Sequence, residues 1–262
     1  MSDPPPAAVA FPDPGSVIYF IFGEKGDGSS SYETVNRSLT TYWYGFPFEL
    51  DGKRYFSGFV YSGPQKFGEF AGEAMAVSNH ETQATISVAT FEASVPGSEK
   101  PWDFLGAQLY VGDLGRNYEA NAIDEDRRPV TYLANDGRYF LAIPTSYLAG
   151  GGVNVRTFEV FAMSRGEDGM LWKYLGSVGG GAENNASCDS GPDSAGLPAC
   201  FDSRGSLAFR AGSDDVMPGI QVLMQGTNVD ASGKVVPVHA GAVTEYLYDS
   251  GRSKYRQVEH SQ

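Results

Sequence analysis

Short runs rich in apolar and aromatic residues recur along this chain, broken by Gly, Asp, Asn and Pro. Such runs are the mark of half-buried β-strands. Residues 130–133, 139–143, 155–163 and 171–175 form one group of four, with Asp136-Gly137 between the first two and Gly166-Glu167-Asp168-Gly169 between the last two. The short links predict an up-and-down meander. An earlier group comprises residues 40–50, 54–61, 84–93 and 104–111, with Asp51-Gly52 at its first turn. A later one comprises residues 206–210, 219–225, 243–248 and 254–258, with a short extra strand near 235–238. Residues 17–22 (Val-Ile-Tyr-Phe-Ile-Phe) are apolar throughout, rich in β-branched and aromatic types, and read as a first strand. Only residues 68–78 hold enough helix formers for a turn of helix.

The first two groups share text. Asp51-Gly52-Lys53-Arg54-Tyr55-Phe56 returns as Asp136-Gly137-Arg138-Tyr139-Phe140. Thr90-Phe91-Glu92 returns as Thr157-Phe158-Glu159, and Trp102-Asp103-Phe104-Leu105-Gly106 as Trp172-Lys173-Tyr174-Leu175-Gly176. Blocks recurring in one order predict a repeated supersecondary unit. The expected architecture is therefore all-β, built of consecutive four-stranded antiparallel meanders in a β-propeller-like arrangement, with a β-sandwich as the alternative. The expected organisation is a flexible linker over residues 1–15, then a single domain over 16–262 with repeats at about 40–111, 128–177 and 205–258. The 33 Gly and 15 Pro fit strands joined by turns.

Charge changes the picture of partners. A net charge of −13 opposes nucleic acid and anionic membrane surfaces, and suits a basic protein partner. No apolar run reaches the roughly 18 residues of a spanning helix, so no membrane insertion is expected. The two cysteines, Cys188 and Cys200, flank a Ser/Gly/Pro-rich stretch that suits a disulfide loop. A disulfide implies a periplasmic or secreted protein, its export signal absent from this sequence.

Catalytic signatures are sparse. The three histidines, His80, His239 and His260, lie in no recognisable setting, and there is no Gly-x-Ser-x-Gly elbow. The densest acidic cluster, Asp124-Glu125-Asp126, runs into Arg127-Arg128, a partly self-neutralised turn that doubles as a candidate binding loop. Asn228, Asp230 and Ser232 with Gly233 follow the opening of a calcium loop, but its twelfth position is His239 rather than Glu. Calcium is thus the one cofactor the sequence suggests. Tyr42, Trp43 and Tyr44 open an aromatic strand whose outward members suit a protein interface or a sugar platform.

The third unit carries a resemblance. Pro218-Gly219-Ile220-Gln221-Val222-Leu223, Gly226-Thr227, Gly233-Lys234-Val235-Val236-Pro237-Val238 and Tyr246-Leu247-Tyr248-Asp249, followed by Lys254-Tyr255, are similar to the repeats of bacterial FG-GAP/VCBS-like β-propeller proteins. The clustered calcium-binding aspartates of that family are not matched here. Some exported proteins of this build act as inhibitors or immunity proteins against cell-wall hydrolases. Ser250-Gly251-Arg252-Ser253-Lys254-Tyr255 is similar to the Ser-Gly-x-x-Tyr loop of periplasmic lysozyme inhibitors, one residue longer. The resemblance adds Arg252, Lys254 and Tyr255 to the candidate binding residues. The expected function is an exported, non-enzymatic protein-binding module, an inhibitor or immunity protein against a basic hydrolase or other secreted effector. The alternatives are a carbohydrate-binding β-protein and a hydrolase with an acidic, metal-assisted site.

Overall fold

The computed structural model describes residues 10–34, 38–64, 82–95, 98–167, 169–188, 199–211, 217–230, 232–239 and 241–258. These divide into two compact units. One comprises residues 1–120 with 166–172; the other comprises 121–165 with 173–262.

The first unit opens on a helix, α1 (Pro14–Phe22), where the apolar run predicted a strand. Cap chemistry outweighs β-propensity here. Asp13 accepts hydrogen bonds from the Ser16 backbone N–H (3.0 Å) and hydroxyl (2.6 Å), and Pro14 occupies the first turn. Gly23 ends the helix at φ 77°, its N–H donating to the Tyr19 carbonyl. Val17, Ile18 and Ile21 form the buried stripe.

That stripe packs on a five-stranded antiparallel sheet in sequence order: β1 (Ser31–Thr34), β2 (Ser38–Leu50), β3 (Lys53–Pro64), β4 (Ala84–Ala93) and β5 (Trp102–Leu114). Asp51 and Gly52 join β2 to β3 with φ of 52° and 73°, the conformation of a tight hairpin turn. The helix side of the sheet presents Phe56, Val60, Ala89, Phe91 and Trp102. Gly58 is obligatory there, because a Cβ would lie 2.6 Å from a Val17 methyl. Phe46, Phe48 and Phe59 are buried on the other face. Trp172 closes over it, its ring edge-on to Phe48 (6.0 Å) and Phe59 (5.3 Å) and its Nε1–H donating to Ser57 Oγ (3.1 Å).

The second unit carries a ten-stranded antiparallel sheet. Its strands are β6 (Ala122–Ile123), β7 (Val130–Leu133), β8 (Tyr139–Leu148), β9 (Asn154–Gly166), β10 (Gly169–Glu183), β11 (Asp202–Arg210), β12 (Gly219–Val229), β13 (Val235–Pro237), β14 (Val243–Asp249) and β15 (Lys254–Gln257). They follow the order β15-β14-β12-β11-β10-β9-β8-β6, with β13 on β12 and β7 on β8. Phe140, Phe158, Val160, Leu175, Ile220 and Val222 centre its core.

The three predicted meanders are present, and the all-β class stands. Their joining differs from a propeller. The pairs Gly181↔Arg204, Ala182↔Ser203 and Glu183↔Asp202 link β10 to β11, so the second and third meanders make one ladder instead of separate four-stranded blades. Both sheets are antiparallel and open, as the sandwich alternative requires. The Cys188–Cys200 disulfide bridges the connection beyond this seam. The buried Asn184 side chain braces it, donating to the Ala199 carbonyl (3.0 Å) and accepting from Phe201 N–H (2.8 Å).

Candidate functional site

An open cavity lies in the first unit, where the floor of the sheet runs on past the end of α1. It encloses about 540 Å³ and is lined by Ile21, Phe22, Thr34, Ser38, Ser62, Gly63, Gln83, Thr85, Ser87, Leu109 and Tyr118. None of the described lining residues carries a charge.

Three features of the chain build it. The first is strand alternation. Along β4, residues 85, 87, 89 and 91 share the face that α1 covers, and they change from Thr and Ser to Ala and Phe. Beneath the helix that face is apolar; beyond its end it is a row of hydroxyls. Thr34 Oγ1 and Thr40 Oγ1 lie 2.9 Å apart, as do Thr40 Oγ1 and Ser62 Oγ. Thr34 also donates to the Ser38 carbonyl (3.3 Å). Ser62 pairs with Thr85 across the strands.

The second is a bulge. Ile86 pairs with Gly112 but Val88 pairs with Gln108, so three β5 residues face Ser87 alone. Leu109 and Tyr110 are pushed outward, each 62% exposed. Ser87 Oγ donates to the freed Leu109 carbonyl at 2.8 Å. Thr85 Oγ1 donates to Asp113 Oδ1 at 2.9 Å, and Tyr110 OH donates to Asp113 Oδ2 at 2.9 Å.

The third is a turn. Arg116 and Glu119 exchange backbone hydrogen bonds (both 2.9 Å) around Asn117 and Tyr118, whose φ angles are 51° and 62°. Two left-handed residues make the turn type that favours Asn-Gly. Tyrosine in the glycine position costs roughly 1–2 kcal/mol. Gly63 lets the turn approach, since a Cβ there would sit 2.7 Å from the Tyr118 carbonyl oxygen. The strained Tyr118 is one of the residues that line the cavity.

The residues singled out by sequence lie elsewhere. Tyr42, Trp43 and Tyr44 are half-buried in β2, and a bulge between Tyr42 and Tyr44 breaks the alternation. Tyr42 packs with the helix-side cluster, while Tyr44 stacks along Phe46 on the other face. Burial pushes the Tyr42 phenol up to about 12. Asp124 pairs with Arg127 (2.7 Å), whose guanidinium also donates to the Thr145 and Thr157 carbonyls and lies over the Phe158 ring. Burial pulls that guanidinium's pKa down. Glu125 and Asp126 are exposed.

Asp230 Oδ1 accepts from Ser232 N–H, Ser232 Oγ and Lys234 N–H, closing the β12–β13 turn, and the Asn228 side chain accepts from Val229 N–H. The Ser232 hydroxyl holds the Asp230 carboxyl below its ordinary value. Among the described residues no group of three His, Cys, Asp or Glu side chains could hold a metal ion. Arg252 is exposed beside Asp249, and Lys254 reaches over the Tyr174 ring at 5.7 Å. Tyr255 is core: its OH donates to the Pro218 carbonyl at 2.7 Å, and burial raises its pKa. His80, His260 and residues 68–78 lie outside the described residues; His239 is exposed.

The cavity residues were missed by sequence reasoning. Their one visible signal is Thr85-x-Ser87 on the inward positions of a strand whose later inward positions are Ala89 and Phe91. No helix among the described residues is long and apolar enough to cross a membrane. No family model, curated protein or solved structure matches this chain.

Proposed function

We propose that the first unit is a binding module for a small uncharged polyhydroxylated ligand, of the carbohydrate class. The observation that carries this reading is the composition of the cavity among the described residues: hydroxyls on the floor, an amide at Gln83, apolar and aromatic walls, and no charged group. A sugar offers hydroxyls to such a floor and C–H faces to Phe22, Leu109 and Tyr118. The turn strain at Tyr118 supports it, because strain of this kind persists where a side chain must be presented. The Cys188–Cys200 disulfide supports residence in an oxidising compartment, periplasmic or secreted.

The test is calorimetric titration with a panel of neutral mono- and disaccharides. Binding should weaken about tenfold or more in Tyr118→Ala and in Ser87→Ala. A panel with no binder, or a binder indifferent to both substitutions, would sink the reading.

A second reading, a protein partner, is favoured by a different surface. Tyr19, Phe20, Phe104 and Leu105 are each at least 40% exposed, and Phe20 stacks on Phe104 at 4.7 Å. Exposed aromatic clusters of this kind mark interfaces, and the charge of −13 suits a basic partner such as a cell-wall hydrolase. Capture of lysozyme by wild type but not by Phe20→Ser would favour it.

A further inference from the structure

We propose that the cavity floor is an array of hydrogen-bond acceptors polarised by Asp113, so that it takes the O–H-donating face of a polyol and refuses ethers and anions. This deepens the carbohydrate reading and rests on it.

A hydroxyl has one proton to give and two lone pairs. Thr85 gives its proton to Asp113 Oδ1, since a carboxylate only accepts, and Ser87 gives its proton to the Leu109 carbonyl. Both oxygens are left with lone pairs toward the cavity. Thr34 donates to the Ser38 carbonyl. The adjoining contacts, Thr34 to Thr40 and Thr40 to Ser62, continue the row as a chain of hydroxyls in which either member of each pair can donate.

Asp113, the cross-strand partner of Thr85, sets the strength of that acceptor. A hydroxyl that donates to a carboxylate becomes a better acceptor, because hydrogen bonds in series polarise one another. The second oxygen of Asp113 is held by Tyr110 OH, which fixes the carboxylate's orientation. That bond also raises the Tyr110 pKa, keeping the phenol a donor.

Spacing completes the array. Ser62 and Thr85 are cross-strand partners, about 5 Å apart. Thr85 and Ser87 lie on one face two residues apart, about 7 Å. A rigid ring bearing several hydroxyls can donate to two such oxygens at once. Gln83, at the margin, supplies N–H donors for the ring or bridging oxygen. At Thr85 and Ser87 a phosphate or carboxylate would set its lone pairs against lone pairs and its charge against the Asp113 carboxylate bonded to Thr85. Asp113 is thus a positioning residue that acts through Thr85.

The experiment uses the full chain and two readouts. The first is the NMR exchange of the Thr85 hydroxyl proton, with no ligand added. Slow exchange that becomes fast in Asp113→Asn is expected; fast exchange in both would overturn the proposal. The second is the affinity for myo-inositol, its hexa-O-methyl ether and its monophosphate. The free polyol should bind at least tenfold tighter than either derivative. Asp113→Asn should weaken it about tenfold, Thr85→Val should abolish binding, and Thr85→Ser should retain it. Equal binding of polyol and ether would overturn the proposal. If Thr85 donates to Asp113 but neither inositol nor any neutral sugar binds, the carbohydrate reading falls and the acceptor array stands.

Discussion

The two copies of the repeated text make the same ladder and spend one residue in opposite ways. Thr90 in β4 and Thr157 in β9 each form a buried cross-strand hydroxyl pair, with Ser57 (2.9 Å) and Thr145 (2.7 Å). Two residues on, the shared glutamates part company. Glu92 is half-buried, with Lys53 2.8 Å away. Glu159 is 1% exposed. It accepts hydrogen bonds from Tyr174 OH (2.6 Å) and Asn121 Nδ2 (2.8 Å), and from whichever of the Thr145 and Thr157 hydroxyls (both 3.3 Å away) is not donating to the other. The tryptophans diverge as well. Trp102 Nε1–H donates to the Ala10 carbonyl on the helix side of the first sheet, whereas Trp172 Nε1–H donates to Ser57 on its opposite face. A repeat preserves turns and strand pairing; what covers each face decides whether a recurring residue is surface or core.

The comparison breaks most visibly at the glutamates. Glu159→Ala should destabilise by about 3–5 kcal/mol, since it strands the Tyr174 and Asn121 donors in the interior. Glu92→Ala should cost no more than about 0.5 kcal/mol, the worth of a largely solvated ion pair. Urea titration of both variants measures the contrast, and equal losses would show that the copies are energetically alike. The next effect concerns how each copy ends. The second copy runs into a seam of three register pairs with a disulfide beyond it. Replacing Cys188 and Cys200 by serine should cost about 3 kcal/mol in the chain-entropy model. Hydrogen exchange should then quicken first in β11 and β12, and unchanged exchange there would show that the seam holds by itself.

The smallest effect is at the cap of α1, the helix that covers the first copy. Asp13→Ala should cost about 1 kcal/mol. The Ser16 hydroxyl and N–H lower the folded-state pKa of Asp13 below its unfolded value. A lowered carboxyl stabilises fully above the unfolded pKa of about 3.9 and ceases to do so as pH falls through the folded value. The difference between wild type and Asp13→Ala should therefore be constant above about pH 5 and vanish in more acidic solution, read from urea midpoints against pH.

Much of the ladder was legible in the sequence. Asp51-Gly52 and Asp136-Gly137 marked turns, the short apolar runs marked thirteen strands that the structure contains, and the turn-rich stretch between the cysteines marked the disulfide. The error at α1 arose from weighing six apolar side chains above the Asp-Pro before them and the Gly after them. Those end groups satisfy the helix's own N–H and C=O groups, which side-chain propensity does not address. The cavity was barely legible, because its residues come from seven separate segments and its geometry rests on a bulge and a strained turn.

By itself the sequence determined local matters: where the chain turns, which runs extend, which residues recur and how much charge the molecule carries. Tertiary structure decided the rest. It joined the second and third meanders into one sheet, buried one of two identical glutamates, and set Tyr118 against a row of hydroxyls. The physical reason is range. Turn and strand preferences act over a few neighbouring residues, whereas burial and the direction of a hydroxyl's proton depend on atoms brought together from distant parts of the chain.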